Sequence, residues 1–265
     1  MKIKEENISK NDKKRNIIVP TNLTPELAEL TGIMAGDGNI YSKNNRYEIC
    51  VVGDAIKDYD YHKEHIRNLF EKSFNIIPIT KIRKFKDGRQ CIVTKIESKS
   101  IVSFMINEIG LPKGKKTNIS IPKIIREANN DIISKFIRGI ADTDFTIHFK
   151  NRKNKKGKIN YYPLIVGNFS SKALVEGLKE LLMKINLHSH IEKRIKTNEE
   201  NNKKYSSYAV VITGKKNLLE WMNNIGFANK RHYIKFLVWK KIGYCPPNME
   251  IIKGEEILKR AQGGN

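Results

Sequence analysis

Two aspartates, Asp37 and Asp144, each follow a run of small and apolar residues that reads as a helix. Carboxylates are hard oxygen ligands, and two of them brought close repel unless a cation lies with them, so the pair points to divalent-metal chemistry. The other candidates for chemistry are incomplete. His188 and His190 share one side of a strand, but no carboxylate or cysteine completes a metal set. Cys50, Cys91 and Cys245 lie far apart without a C-x-x-C pair, which leaves neither a disulfide framework nor a zinc site. No phosphate-binding glycine loop, Ser-His-Asp set or dinucleotide fingerprint occurs at convincing spacing.

The helices that would carry the two acids have an unusual composition. Ala28, Gly32 and Gly36 fall four residues apart and line one ridge. Each interior glycine gives up about 1 kcal/mol of helix propensity relative to alanine, so two on one face imply that another backbone approaches closely. Gly139 and Thr143 repeat that spacing before Asp144, and packing the small faces together would bring both carboxylates to one end of the seam. Asp142 lies a helical step of about 200° from Asp144, which predicts a surface acid. Thr24 is placed to cap the first helix, Pro25 to begin it and Glu26 to complement its dipole, with the end expected at Gly38.

Around these helices one plan is written twice. After the first come strands at Asn39–Tyr41 and Tyr47–Val52, a helix at Tyr61–Phe74, strands at Ile77–Phe85 and Gln90–Ile96, and a helix over Ile101–Leu111. The second half repeats helix, two strands, helix, two strands, helix, and Val51-Val52-Gly53-Asp54 resembles Ile165-Val166-Gly167-Asn168. Asp144 follows Asp37 by 107 residues, and later drift needs only loop insertions such as the basic run 151–160. The expected organisation is a flexible basic arm at 1–22, two units at 23–125 and 126–243, and a C-terminal appendage at 244–265. The class is α+β.

Composition bounds the partner. Lys plus Arg total 50 against 28 acids, a formal charge of +22 over 265 residues, which favours nucleic acid over other polyanions. No apolar stretch approaches the roughly 20 residues of a spanning helix, and the first residues lack the apolar core of a signal peptide. A membrane partner is therefore not expected, and a soluble, intracellular, cytoplasmic protein is.

The runs Leu30-Thr31-Gly32-Ile33-Met34-Ala35-Gly36-Asp37-Gly38 and Ile137-Arg138-Gly139-Ile140-Ala141-Asp142-Thr143-Asp144-Phe145 resemble two copies of the LAGLIDADG homing-endonuclease motif, each with its acid at the eighth position. Phe145 stands where the motif usually closes on glycine. The resemblance covers about Thr24 to Lys241. It implies two pseudo-symmetric αββαββα units whose LAGLIDADG helices pack at the interface, with curved antiparallel sheets forming a DNA-binding saddle. It also implies that Asp37 and Asp144 are catalytic and bind metal, Mg²⁺ or Mn²⁺, each serving the cut of one strand. A lysine near each acid is implied as well, and Lys116 and Lys230, in the basic loops after Gly110 and Gly226, are the first choices.

Strand patterns place Lys81, Arg83, Lys193 and Arg194 on or beside a DNA face, with Ile82, Ile191 and Ile195 directed to the core, and Lys115 and Arg231 add charge from the loops. Trp221, Phe236, Leu237 and Trp239 read as core. The function expected is a monomeric, site-specific double-strand endonuclease acting on double-stranded DNA at a long asymmetric site. The alternatives are a maturase that binds intron RNA and a non-cleaving DNA-binding relative on the same scaffold.

Overall fold

The first motif helix sets the architecture. Thr24 Oγ1 accepts from the Leu27 N–H at 3.2 Å, Pro25 occupies the first turn, and α2 (Pro25–Ala35) is buried at every position from Leu27 to Ala35. A helix apolar on all sides needs neighbours on all sides. The computed structural model, which describes residues 8–153, 159–197, 202 and 204–261, supplies them from within one of two compact units, 1–143 and 144–265.

In the first unit, α1 (Lys10–Lys14) and α2 precede the hairpin β1 (Gly38–Lys43) and β2 (Arg46–Asp54). A π-helical turn over Tyr61–Ile66 leads into α3 (Arg67–Phe74), then come β3 (Ile79–Lys84), β4 (Gln90–Glu97), α4 (Lys99–Asn107), α5 (Lys123–Arg126) and α6 (Asn130–Asp144). The antiparallel sheet has the order β1-β2-β4-β3. Its register directs Ile40, Ile49, Val51, Ile92, Thr94 and Ile96 to the buried side, and Tyr41, Glu48, Val93, Lys95, Lys81 and Arg83 to the other.

The second unit contains β5 (Phe145–Lys153), β6 (Ile159–Phe169), α7 (Lys172–Lys184), β7 (His190–Thr197), β8 (Lys204–Thr213), α8 (Lys215–Asn224), α9 (Lys230–Ile242) and α10 (Ile251–Arg260). Its antiparallel sheet, β5-β6-β8-β7, repeats the order of the first. Of the basic run expected as a loop insertion, residues 151–153 and 159–160 belong to strands and 154–158 lie outside the described residues. Trp221, Phe236 and Trp239 are buried, as their helical context predicted.

The division falls between Thr143 and Asp144, rather than near 125, because α6 packs on α2. Their contact is made by backbone. A methyl group at Gly32 would collide with the Phe136 carbonyl and stand 2.9 Å from the Ile140 nitrogen; one at Gly139 would collide with the Glu29 carbonyl and stand 2.9 Å from the Ile33 nitrogen. Each glycine meets the residues three before and one after its counterpart. The helices are therefore related by the 107-residue spacing that also separates the two acids.

A buried ionic cluster locks this seam. Glu29, 1% exposed, receives both Nε and Nη2 of Arg138, the former at 2.9 Å, and faces His65 Nε2 at 2.6 Å. Burial disfavours its charged form, but the bonds from His65 and Arg138 outweigh that and hold its pKa below the usual value. Asp142 belongs to the same cluster, which corrects the expected surface acid: it is 0% exposed and interacts with Tyr61 and Arg138. The helical rotation away from Asp144 was sound. What it meets there is the π-helical turn instead of solvent.

The N-terminal segment also departs from expectation. Residues 1–7 lie outside the described residues, but α1 is ordered, and its Asp12 is buried and accepts from Ser100 N at 2.9 Å and Ser100 Oγ at 2.8 Å at the start of α4. Ile82 and Ile195, expected in the core, are 45% and 60% exposed, and both lie on edge strands, β3 and β7. Ile191 is only half-buried.

Two outcomes test this packing. Gly139→Ala should gain intrinsic helix propensity yet lower stability by about 3 kcal/mol from overpacking, seen as a reduced Tm by circular dichroism. An unchanged or raised Tm would contradict the close approach. Because the folded-state pKa of Glu29 is depressed, its contribution is complete above the ordinary carboxylate pKa and is lost as pH falls through the folded value. Glu29→Gln should therefore cost about 3 kcal/mol at pH 7 and lose less than the parent on acidification. Equal stabilities at pH 7 would refute the role assigned to the cluster.

Candidate active site

Asp37 stands just beyond α2. The helix closes on Gly36, whose N–H donates to the Gly32 carbonyl at 3.0 Å, and the Asp37 side chain is exposed. Gly38, which opens β1, has no room for a side chain: an added Cβ would overlap the Met34 backbone. The glycine after the acid is thus required by the sharp exit from helix to strand. The Asp37 carbonyl accepts from the Val52 N–H at 3.4 Å, tying the exit to β2.

Lys116 reaches this end of α2. Its half-buried ammonium donates to the carbonyls of Met34 at 3.3 Å and Ala35 at 3.2 Å, and to that of Gly36. Those carbonyls are the negative pole of the helix. One peptide separates the last of them from Asp37, so the lysine places a positive charge beside the acid while also capping the helix. Lys115, its neighbour, is exposed. The loop that carries both is held to β1 by Gly114 N donating to Ile40 O at 3.0 Å.

Asp144 is the last residue of α6 and is half-buried, with Thr143 before it donating to the Ile140 carbonyl at 2.9 Å. Phe145 takes the place that Gly38 holds in the first copy. It begins β5 directly and is buried, stacked on Trp221 at 5.7 Å and tilted against Phe169 at 5.9 Å. Its ring occupies the space beside its strand partner Gly167, where any side chain would collide with it. A bulky residue at the motif's ninth position is therefore accommodated by a glycine on the adjacent strand, and it anchors the core of the second unit.

The second basic loop differs from the first. Lys230 begins α9, is exposed and pairs with Glu255 of α10, while Arg231 is half-buried and its Nε donates to His232 Nε2 at 3.0 Å. By burial, the step from Lys230 to Arg231 matches the step from Lys115 to Lys116. Of the interface residues read from sequence, Ala28, Gly32 and Gly139 are fully buried or in backbone contact, while Gly36 and Thr143 finish their helices.

The strand residues expected at a nucleic-acid face separate. Lys81 and Arg83 project from the open face of the first sheet, which also carries Lys95 paired to Glu48 at 3.0 Å and to Glu97 at 2.6 Å. In β7 Arg194 lies on the open face, bonded to Asn168 at 2.7 Å and Glu192 at 2.8 Å. Lys193 is turned to the opposite face, the side on which Phe145 and Ile165 pack, and is exposed there. Adjacent strand residues cannot share a face, so the two were not interchangeable. The residues that sequence reasoning missed are Glu29, His65 and Tyr61; an acid inside the apolar run Leu27-Ala28-Glu29-Leu30 was the available signal for a buried cationic partner.

The comparisons with known proteins bear on the fold. Residues 131–226 match the family model described as a LAGLIDADG-like domain. A replication factor C small subunit of Methanocaldococcus jannaschii is 29% identical over 227 residues, covering 86% of this chain and 11% of that protein. A probable translation initiation factor of the same organism is 29% identical over 201 residues, 75% of this chain and 15% of that protein. The chain thus spans only a small fraction of the length of these relatives. Crystal structures of I-DmoI with DNA and Ca, and with DNA and Mn, superpose with TM-scores of 0.50 at 17% and 19% identity. Both alignments cover 77% of this chain, and 90% and 98% of those chains. The chain accordingly shares the fold of I-DmoI, and its second motif lies within the segment that matches a LAGLIDADG-like domain.

Proposed function

We propose that this protein is a site-specific DNA endonuclease that cuts both strands of a long, nearly asymmetric duplex site. The observation that carries the proposal is that both motif acids are present, each at the end of a helix belonging to a reciprocal glycine seam. Two similar but unequal sheets within one chain suit a monomer that reads unlike half-sites.

The donor set fits a divalent ion bound together with substrate. Among the described residues no group of three or more His, Cys, Asp or Glu could hold a metal ion by itself. Mg²⁺ and Mn²⁺ do not require such a cage, since they retain water and share phosphate oxygens alongside one or two carboxylates. A bound ion would polarise the scissile phosphate and lower the pKa of an attacking water. Asp37 and Asp144 would each serve as such a ligand, one for each strand. Lys116 would offset charge accumulating on phosphate near Asp37, and Lys230 or Arg231 would serve near Asp144.

Charge supports a nucleic-acid substrate, since +22 is far beyond what solubility requires. The relatives support a mobile element. The matching segment occupies 11% of one protein and 15% of another whose names have nothing in common, as a self-contained module carried within different hosts would. Among the described residues no helix is long and apolar enough to cross a membrane.

The test is incubation with a pool of random duplexes and Mg²⁺, followed by recovery of cut ends. Discrete double-strand cuts that disappear with chelator are expected, with Asp37→Asn and Asp144→Asn each reducing the product to at most a nick while duplex binding persists. Absence of metal-dependent cutting, together with tight binding of structured RNA, would replace the nuclease by a splicing cofactor. A second outcome concerns the unequal loops: Lys116→Ala should slow cutting by about 100-fold, the scale of losing one charge-stabilising group. Comparing Lys230→Ala with Arg231→Ala assigns the second position, and full activity in all three variants would remove the basic loops from the chemistry.

A further inference from the structure

The open faces of the two sheets differ. In the first unit Tyr41, Val52 and Ile79 on that face are exposed, and a cavity of about 630 Å³ lies over Ile79, Lys81, Val93 and Lys95 with Arg15 at its wall. In the second, Val166, Ala209 and Val211 on the corresponding face are buried, and a cavity of about 620 Å³ stands over Val166 and Val211. One wall of that cavity is foreign to the repeated unit. It consists of Lys235 from α9 and the segment 244–248, the latter part of what the sequence suggested was an appendage.

This wall is built into the fold. Trp239 of α9 stacks on Phe149 of β5 at 5.7 Å, and Tyr244 packs on Tyr161 of β6 at 4.6 Å between ring centroids. Cys245 is buried, its thiol pushed up to about 11 chiefly by desolvation, so it packs as an apolar residue and is no nucleophile at neutral pH. Pro246 and Pro247 stiffen the chain beyond it. On the far side α10 lies close on α9, where a side chain at Gly254 would press on Ile234.

The lining is positive. Lys150, Arg194 and Lys235 face the cavity beside His148, against one acid, Glu192, which with Asn168 fixes the Arg194 guanidinium. Desolvation, then the charges of Lys235, Arg194 and Lys150, hold the His148 imidazole below its ordinary pKa, so the neighbouring cations act at this spot. Positive charge over an apolar floor on the sheet's open face suits a ligand with a phosphate edge and an apolar body. A nucleic-acid backbone has both.

We propose that α9 and the segment 244–248 form a third DNA-contacting element, a clamp in which Lys235 and Arg194 seat one backbone phosphate of the duplex beside the second sheet. The clamp rests on the nuclease proposal, since DNA is its ligand. It is independent of the metal and the cut.

Binding measured without divalent ion separates the two claims. Full-length protein and a labelled random duplex pool are followed by fluorescence anisotropy over a range of salt, for the parent, Lys235→Gln, Glu192→Gln and Lys179→Ala, the last on the opposite, helical side. Lys235→Gln keeps the aliphatic stem, and an unchanged Tm shows that it folds. We expect Lys235→Gln to weaken binding and lower the slope of log K against log salt by about 0.9, the release tied to one phosphate. Glu192→Gln should not weaken binding, and Lys179→Ala should leave the slope unaltered. If the parent binds duplex steeply and Lys235→Gln retains affinity and slope, or if Lys179→Ala lowers the slope equally, the clamp is refuted and the nuclease stands. If the parent binds no duplex, or structured RNA only, both fall.

Discussion

The structure depends on a contact made without side chains. At Gly32 and Gly139 two helix backbones approach until neither residue could carry a methyl group, and the approach is reciprocal to the residue. Such a seam costs about 1 kcal/mol of helix propensity per glycine and is stabilised by packing that begins at the backbone itself. It also demands charge balance, because helices this close bury whatever polar groups flank the glycines. Glu29 is one such group, and Arg138 and His65 satisfy it. The seam and the ionic cluster are thus one device: the first sets the distance between helices, the second their register.

From the ends of those helices the two halves diverge. After α2 the chain needs Gly38 to turn into β1, and Lys116 caps the helix beside Asp37. After α6 the chain runs straight into β5, and Phe145 fills a space left by Gly167. A duplicated motif can therefore keep its acid and its glycine seam while changing the residue that follows, provided the facing strand compensates. The second basic loop shows the same freedom, with Lys230 drawn to Glu255 and Arg231 half-buried at the start of α9. Conservation of the seam and variability beyond it are what distinguishes the constraint from its surroundings.

Much of this was legible from residues whose neighbours are close in sequence. The cap at Thr24, the glycine ridge and the hairpins followed from local pattern, and the small faces of the two motif helices were expected to meet. The errors concern partners far along the chain. Asp142 was assigned to solvent because helical rotation tells where a side chain is not, and says nothing of Tyr61 lying on the other side. Asp12 was read as part of a loose basic arm because its acceptor role toward Ser100 spans most of the first unit. Ile82 and Ile195 have the alternation of core residues but sit on edge strands, where one flank of each side chain lacks a neighbouring strand. Lys193 and Arg194 could be separated only once the register was known.

The functional proposal joins two sources of specificity, a pair of acids for chemistry and two unequal charged faces for recognition. The measurement that bears on it most directly is a single-turnover reaction of the unmodified protein on a recovered target duplex carrying a different label on each strand, with Mg²⁺ added to start it. Cutting of both labelled strands, at one position each and at rates that differ because the surroundings of Asp37 and Asp144 differ, is expected. Intact strands, or cutting that proceeds equally well in the presence of chelator, would contradict it.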